Sequence, residues 1–599
     1  MNLKYFLPLC AIVFSSCESL FEEKTTNEWN DKYAWEVAKI AEGVLLNAYN
    51  AIEKRPDSYD NNFLDAATDN AVTNQYGSSI YKLGMGQFST TNNPIGIWSK
   101  CYEQFQYINS FLENGLTDKT QYNKTDKEID ARYKERLKGE AHFLRAYWGF
   151  RLLQIYGGKT DNGEALGYPI QVSFVTEEQA ANLQITNRDS YEACAKQIID
   201  DCNLAIDFLP DVYSGDDPVT TASNIGRATK LAAMALKSRV ALYAASPAYQ
   251  PDDVVKLEQM GKFEVKNVSI YEDKWKLALR AADECVNSLV FGDFTGMSAT
   301  DLADAANTTP SEFIFRAFYN NKDIETRHFA PYYYGKAYNT PSQNLVDAFP
   351  SINGYPIDDL EHANYNPEAP YENRDKRFYL NVYYHGAIYG NNGLPVDISE
   401  GGKDAQTFNQ YASRTGYYLS KFLSKNESML NPIETVNSLH YYPMIRKTEV
   451  LLNYAEASNE VFGPTTKGSY TKEDGTTVTC KYSAYDIIKM IREKSGGITD
   501  TGYLDEMAND KDDFRTLIQN ERRIELAFEN HRFFDVRRWL LPLNVTIKGV
   551  SVTDDSDGFK YEYCEVEQRK LDDIKYYYMP LPYDECVKNP DLINNLGWK

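Results

Sequence analysis

The sequence lacks cysteine pairs spaced for zinc or redox chemistry. None of its nine cysteines forms a Cys-x-x-Cys pair, so neither a zinc ribbon nor a thioredoxin-like site is supported. Nine cysteines spread over 599 residues also do not resemble a disulfide framework. Cys194 and Cys202 lie in one predicted helix, too far apart along it to bridge each other. We therefore expect the cysteines of the folded part to be small buried side chains.

Signatures of common catalytic and metal sites are also missing. The sequence contains no HExxH, GxxxxGKS/T or GxSxG motif, and its six histidines show no ligand spacing. The segment Asp554–Gly558 begins like a calcium loop, but Cys564 occupies the position of the required glutamate. We therefore interpret this segment as an acidic turn, and predict neither a metal site nor a cofactor.

Positive charge and long apolar runs are both scarce. The chain has 63 Lys and Arg residues against 86 Asp and Glu residues, which gives a net charge of -23 at pH 7. Such an acidic surface repels phosphate backbones and anionic lipid, which argues against nucleic-acid binding and against charge-driven adsorption to a membrane. Neutral ligands such as sugars are compatible with it. After the first residues, no apolar run approaches the roughly 18 residues of a transmembrane helix.

The first 16 residues have the pattern of a secretory signal. A short start containing Lys4 precedes an apolar run over residues 5–14, and two serines follow. The run is too short to remain in the membrane as a spanning helix. We therefore predict that residues 1–16 are a signal peptide.

The predicted cleavage site resembles a bacterial lipobox. Residues 14–17 read Phe-Ser-Ser-Cys, with Phe14 in place of the usual leucine. The resemblance implies that Cys17 becomes the lipidated first residue of the mature chain, with residues 17–30 as a tether. The acidic residues that follow Cys17 are similar to the export signal of Bacteroidetes lipoproteins, which implies an outer-membrane location exposed at the cell surface. The alternative is an ordinary signal peptide with a chance cysteine.

Helical spacing of apolar residues covers both ends of the chain. The alanines of 226–246 allow a neighbouring helix to approach closely. The middle, 311–440, predicts long loops with short strands, and 465–481 predicts a β-hairpin that turns at Glu473–Gly475. Paired helices with alanine-rich contacts predict a helical-repeat scaffold that carries loops. The predicted helices cover 33–54, 98–112, 134–156, 190–209, 226–246, 275–286, 443–461, 483–494 and 512–530.

Several conspicuous residues are predicted to be structural. Trp98, Trp148 and Trp539 fall on apolar stripes and are expected in the core. Glu521 and Glu525 lie four residues apart among arginines. We interpret these two carboxylates as part of a buried ion network rather than as the acid pair of a glycosidase.

Six segments in order resemble the RagB/SusD family of outer-membrane nutrient-binding lipoproteins. The first reads Gly-Glu-Ala-His-Phe-Leu-Arg-Ala-Tyr-Trp at 139–148, and the last ends in Asn-Leu-Gly-Trp at 595–598. The six segments are 139–158, 226–247, 341–354, 446–457, 521–539 and 579–598.

The resemblance implies a mainly α fold. Tetratricopeptide-like helix pairs would form a right-handed scaffold with a long loop-rich region and short β-hairpins. One SusD-like domain would span 31–599, with a helical part at 31–310, a loop-rich insertion at 311–440 and a carboxy-terminal part at 441–599. The implied protein is not an enzyme: it binds a glycan and passes it to a SusC-like TonB-dependent β-barrel, over which it sits as a lid.

Two tyrosine-rich neighbourhoods form the candidate ligand site. Sugars are bound by flat apolar rings and by planar polar groups that bond the hydroxyls, and the resemblance implies that ligand residues come from these neighbourhoods. The alternative is that these tyrosines pack the loops or contact the barrel. Replacing the three tyrosines at 332–334 by alanine is expected to weaken binding and to leave the melting temperature nearly unchanged. The candidates are Asp69, Asn70, Asn74, Tyr76 and Tyr81 in the first neighbourhood, and Arg327, Tyr332, Tyr333, Tyr334 and Tyr338 in the second.

Two other functions stay open at this point. Some members of the family that the chain resembles are associated with peptide binding, so the ligand could be a peptide. A surface glycoside hydrolase would also account for the many carboxylates and loop aromatics, and it would release shorter sugars from a polymer.

Overall fold

The computed structural model describes residues 31–176, 178–179, 187–306, 309–472, 474–555 and 558–599. The predicted signal peptide, Cys17 and the tether lie outside these residues. The helices are α1 Asp31–Glu36, α2 Ala38–Asn50, α3 Ser79–Gly84, α4 Trp98–Asn114, α5 Lys127–Tyr156, α6 Tyr191–Phe208, α7 Lys230–Ala245, α8 Val268–Val286, α9 Asp323–His328, α10 Gln343–Ala348, α11 Lys376–Asn381, α12 Lys447–Phe462, α13 Ala484–Ile491, α14 Gly502–Met507, α15 Lys511–Glu525, α16 Arg532–Arg538 and α17 Tyr583–Lys588.

The long helices pack in a series, each against the next. Helix α2 contacts α4, α4 contacts α5, and the series continues in the same way through α6, α7 and α8 to α12. Helix α12 also contacts α13 and α15. Helix α5 is central: the Asp126 carboxylate caps its first turn, and it is buried almost continuously from Arg136 to Tyr156. The alanine-rich α7 is buried on several faces, which allows helices to approach it from both sides. The predicted mainly α fold is therefore confirmed.

The strands form seven separate antiparallel pairs among the described residues. The predicted hairpin at 465–481 is confirmed as β11–β12, although Glu473 of its expected turn lies outside the described residues. The hairpins β4–β5 and β13–β14 were not predicted from the sequence. The strands are β1 Ala71–Thr73, β2 Gly158–Lys159, β3 Ala165–Leu166, β4 Val255–Gln259, β5 Lys262–Val265, β6 Phe313–Asn321, β7 Asn339–Pro341, β8 Val382–Tyr383, β9 Tyr418–Leu419, β10 Ser438–Arg446, β11 Ser469–Thr471, β12 Thr477–Thr479, β13 Thr546–Asp555 and β14 Gly558–Gln568.

Several predicted helix boundaries were wrong. Helix α5 begins at Lys127 rather than 134, α7 at Lys230 rather than 226, and α8 at Val268 rather than 275. Residues 443–446 belong to strand β10, which pairs with β6, and the helix begins only at Lys447. The helix predicted to reach residue 530 ends at Glu525, because Phe528 and Asn530 adopt left-handed backbone angles with φ of 61° and 64°. The middle region is loop-rich as predicted, but it also contains three short helices, α9 to α11.

The structural roles predicted for tryptophan and glutamate are confirmed. Trp98, Trp148 and Trp539 are buried. Glu521 lies 2.8 Å from the Arg377 guanidinium, and Glu525 lies 2.9 Å from that of Arg446. Because both carboxylates are buried and paired, they form part of an internal ion network.

The cysteines are buried as expected, with two exceptions. Cys101, Cys194, Cys202, Cys285 and Cys480 are buried free thiols. Cys564 is exposed on strand β14 and Cys586 is partly buried, which corrects the prediction for these two residues. Burial raises the pKa of the Cys194 thiol to about 12, so the group stays protonated.

Candidate ligand-binding site

One short strand pair joins the two tyrosine-rich neighbourhoods. Strand β1 pairs with β7, with Thr73 opposite Asn339. The pairing continues at Asn74, whose backbone N–H donates to the Tyr338 carbonyl at 2.8 Å. The Asn74 side chain donates to the Ala337 carbonyl at 2.7 Å. Two segments more than 240 residues apart in the sequence are therefore neighbours in the fold.

Three of the predicted tyrosines expose their rings to solvent. Tyr76, Tyr332 and Tyr334 are exposed, whereas Tyr81 and Tyr338 are partly buried. The Tyr81 ring supports Tyr76 edge to face, with centroids 5.2 Å apart. An exposed ring that is supported by a neighbouring ring, as Tyr76 is, can stack on a flat apolar face of a ligand.

Tyr333 differs from its two neighbours. It is only 9% exposed, its ring stacks on Tyr389 at 4.4 Å, and its hydroxyl accepts a hydrogen bond from the Leu394 backbone N–H at 2.8 Å. Because Tyr333 is packed in this way, we now expect its removal to lower stability, unlike the removal of Tyr332 or Tyr334.

We expect Tyr333→Ala to lower the free energy of unfolding by about 2 kcal/mol, because it removes a stacked, hydrogen-bonded ring from a packed site. Tyr332→Ala is the matched control: its ring is 45% exposed, and we expect a change within about 0.5 kcal/mol. Urea titration of both variants measures the difference. Equal stability of the two would contradict the packing described for Tyr333.

Asp69 and Asn70 attach the first segment to the rest of the fold. Asp69 pairs with Arg523 at 3.0 Å and with Arg532 at 2.9 Å. Burial alone would raise the pKa of Asp69, but the two guanidiniums outweigh it and hold that pKa well below its usual value. Asn70 is 0% exposed, and it bonds Asp65 and Arg523. Neither side chain is free to contact a ligand, contrary to the expectation from the sequence.

Arg327 also has a structural partner. Its guanidinium donates to the buried Asp57 carboxylate at 2.9 Å. Burial lowers the pKa of the adjacent His328, which stays neutral and accepts a hydrogen bond from the Asn339 backbone N–H at 3.3 Å. The first bond fixes α9 to Asp57, and the second fixes it to strand β7. Arg327 therefore positions the second segment, and the exposed Tyr332 and Tyr334 follow it in the sequence.

A third segment, residues 403–414, completes the surface, and sequence reasoning missed it. Phe408 and Tyr411 are exposed there. The Ala412 carbonyl accepts a hydrogen bond from the Asn74 side chain at 3.3 Å, which joins this segment to the other two. The only available sequence signal was aromatic residues in a polar loop, without a motif.

Two cations of this third segment lie on the predicted tyrosines. The Arg414 guanidinium lies 4.6 Å from the Tyr76 ring centroid and donates to the Tyr76 hydroxyl at 3.1 Å. The Lys403 ammonium lies 5.4 Å from the Tyr332 ring centroid. Such cation–π contacts fix ring orientation. We call Tyr76, Tyr332, Tyr334, Phe408 and Tyr411 the loop surface.

Carboxylates neutralise both of these cations of the third segment. Arg414 donates to Glu567 at 2.9 Å, and Lys403 pairs with Asp404. Arg414 and Lys403 therefore add no net charge to the loop surface. Among the described residues no group of three His, Cys, Asp or Glu side chains is placed to hold a metal. In the same part of the chain, no helix combines the length and apolar character required to cross a bilayer.

Comparisons with known proteins agree with this architecture. The chain aligns with a SusD-like protein from Bacteroides fragilis with a TM-score of 0.69 and 24% identity, covering 94% of this chain and 98% of that one. A second structure from the same species is described as a SusD-like carbohydrate binding protein; it gives a TM-score of 0.65 and 22% identity, covering 93% and 99% of the two chains.

Sequence comparison gives the family directly. SusD-like protein P2 of Formosa agariphila is 29% identical over 167 residues, which span 27% of this chain and only 26% of that protein. A model described as the SusD family matches residues 304–598, and one described as starch-binding associating with outer membrane matches residues 21–242. With these two matches covering most of its length, the chain belongs to the SusD/RagB family.

Proposed function

We propose that this protein binds a glycan at the loop surface and passes it to a transporter in the outer membrane. The observation that carries the proposal is the convergence of three segments, distant in sequence, each of which carries exposed aromatic rings. Aromatic faces stack on the C–H face of a sugar ring, and neighbouring hydroxyls and amides bond its hydroxyl groups.

The cell-surface location and the partner are part of the same proposal. A lipid on Cys17 would hold the chain at the outer membrane, and a SusC-like TonB-dependent β-barrel would receive the glycan. The family description of association with the outer membrane supports this location. The partner rests on the family resemblance, and co-purification with a barrel from native membranes would test it.

Binding of polysaccharides to the purified protein tests the glycan proposal. We expect Tyr76→Ala and Tyr411→Ala each to weaken binding roughly tenfold, because each removes an exposed ring from the loop surface. The probe is the polysaccharide that gives the strongest signal on an array that includes starch, and calorimetry measures the affinity.

Tyr583→Ala is the matched control, because Tyr583 is an exposed tyrosine on α17, outside the loop surface. Unchanged affinity in both site variants would remove the loop surface from the site. An array without signal, together with measurable peptide binding, would favour a peptide ligand. Release of reducing ends from the polymer would favour a glycoside hydrolase instead.

A further inference from the structure

Strand β14 carries a row of aromatic side chains outside the loop surface. Phe559, Tyr561 and Tyr563 alternate along the strand and share one face, while Lys560 and Glu562 lie on the other. Phe559 and Tyr563 are exposed and Tyr561 is partly buried. Residues on one face of a strand repeat about every 6.7 Å, so the row from Phe559 to Tyr563 spans about 13 Å.

The segment 365–385 faces this row with further aromatic rings. Tyr371 links the two walls, because its ring lies 5.4 Å from that of Tyr561 and 4.4 Å from that of Tyr384. The Tyr384 ring lies 6.1 Å from that of the exposed Tyr379. Burial and the nearby Tyr365 raise the pKa of the Tyr563 hydroxyl, which places Tyr365 beside the row. We call the solvent-facing members of the two walls, Tyr365, Tyr379, Tyr384, Phe559, Tyr561 and Tyr563, the hairpin surface.

The chemistry of the hairpin surface fits a sugar chain better than a protein. All six members are aromatic and five carry a hydroxyl group, so the surface combines flat apolar faces with hydrogen-bonding edges. The two charged groups on β14 at this level, Lys560 and Glu562, point away and pair with each other at 2.6 Å. Between Phe559 and Tyr563, a neutral ligand would therefore meet aromatic groups and no charged side chain of this face.

A series of contacts links strand β14 to the loop surface. Glu567, four residues beyond Tyr563 on the same strand, accepts a hydrogen bond from Arg414, which in turn bonds Tyr76. Four residues of strand cover about 13 Å. One extended polymer can therefore reach from the rings around Tyr76 to the row on β14.

We propose that the hairpin surface is a second glycan-binding site, which takes a further stretch of the same neutral chain that the loop surface binds. The inference rests on the proposed function. Two sites on one rigid protein raise the affinity for a ligand long enough to reach both, because the second contact is made intramolecularly. A polymer therefore binds more tightly than a short oligosaccharide of the same repeat.

The test compares the array polysaccharide identified above with an oligosaccharide of two or three of its units. The double variant Phe559→Ala with Tyr563→Ala is expected to bind the polymer roughly tenfold more weakly. Its affinity for the oligosaccharide, which the loop surface holds, is expected to equal that of the wild type. Phe559→Ala alone is the second variant if the double variant unfolds, because that ring has no hydrogen bond to lose.

Lys560→Ala with Glu562→Gln is the matched control, since these residues lie on the opposite face of the same strand. Polymer affinity equal to the wild type in the aromatic variants overturns the second site. An equal loss for polymer and oligosaccharide also overturns it, because a single site would then account for both. A wild-type protein that binds no polysaccharide overturns the proposed function itself, and is recognised before any variant is compared.

Discussion

Arg446→Met is expected to lower the free energy of unfolding by about 3–5 kcal/mol, because it leaves buried carboxylates without their main cation. The Arg446 guanidinium lies 3.2 Å from Glu312, 2.9 Å from Glu525 and 2.8 Å from Glu529, and all four side chains are buried. Arg377 and Lys421 also contact this group, but two cations cannot balance three carboxylates. Urea titration followed by circular dichroism measures the loss.

A surface ion pair is the matched control for this change. Arg132 and Asp217 are 2.9 Å apart, with side chains 42% and 38% exposed. Arg132→Met is expected to change stability by less than about 1 kcal/mol, because water screens exposed pairs. Equal losses in the two variants would contradict the view that burial makes the Arg446 network important for stability.

The Arg446 variant also has a defined pH dependence. In the wild type, burial acts to raise the pKa of Glu525, but Arg446, Arg377 and Lys421 outweigh it and hold that pKa below its usual value. This carboxylate therefore stabilises the fold above its unfolded pKa, and the contribution is lost as the pH falls through the folded value. In Arg446→Met the unbalanced carboxylates bind protons instead, so acid relieves their repulsion. The stability difference between wild type and variant should shrink from pH 7 toward about pH 4.

The sequence predicted the helical scaffold well because amphipathic periodicity is a local signal. Helix α5 shows this, since its apolar stripe and the following Gly157 mark its end. The hairpin β13–β14 was not predicted. Phe559, Tyr561 and Tyr563 alternate with charged residues along β14, but most of this strand is exposed, whereas such alternation usually marks a half-buried strand. The acidic turn expected at 554–558 falls at the tip of this hairpin, where residues 556 and 557 lie outside the described residues.

The candidate site was predictable only in part. The tyrosines at 76, 332 and 334 were found because the family resemblance directed attention to their loops. The third segment around Phe408 and Tyr411 carries no motif, and its position depends on a side-chain bond from Asn74. Asp69 and Asn70 looked like ligand residues because their partners, Arg523 and Arg532, lie more than 450 residues away along the chain. Contacts of this range are a property of the fold and not of the local sequence.

Cys17→Ser is expected to release the protein from the outer membrane in cells that lack the barrel partner. Acyl chains on Cys17 would contribute about 0.8 kcal/mol for each buried methylene, and two or more chains together give stable anchoring. The rest of the chain offers little to replace them. Its net charge of -23 opposes adsorption to anionic lipid, and no helix among the described residues can span a bilayer.

Labelling with radioactive palmitate and fractionation of cells measure this anchor. In those cells the wild type should take up label and sediment with the outer membrane, whereas Cys17→Ser should remain unlabelled and be lost from the outer-membrane fraction. Cys10→Ser is the matched control, because residue 10 lies in the predicted signal peptide and its loss leaves the mature chain unchanged. The purified Cys17→Ser protein should keep the glycan affinity of the wild type, since the loop surface does not involve the tether. Label on the Cys17→Ser protein, or none on the wild type, would show that Cys17 is not the anchor.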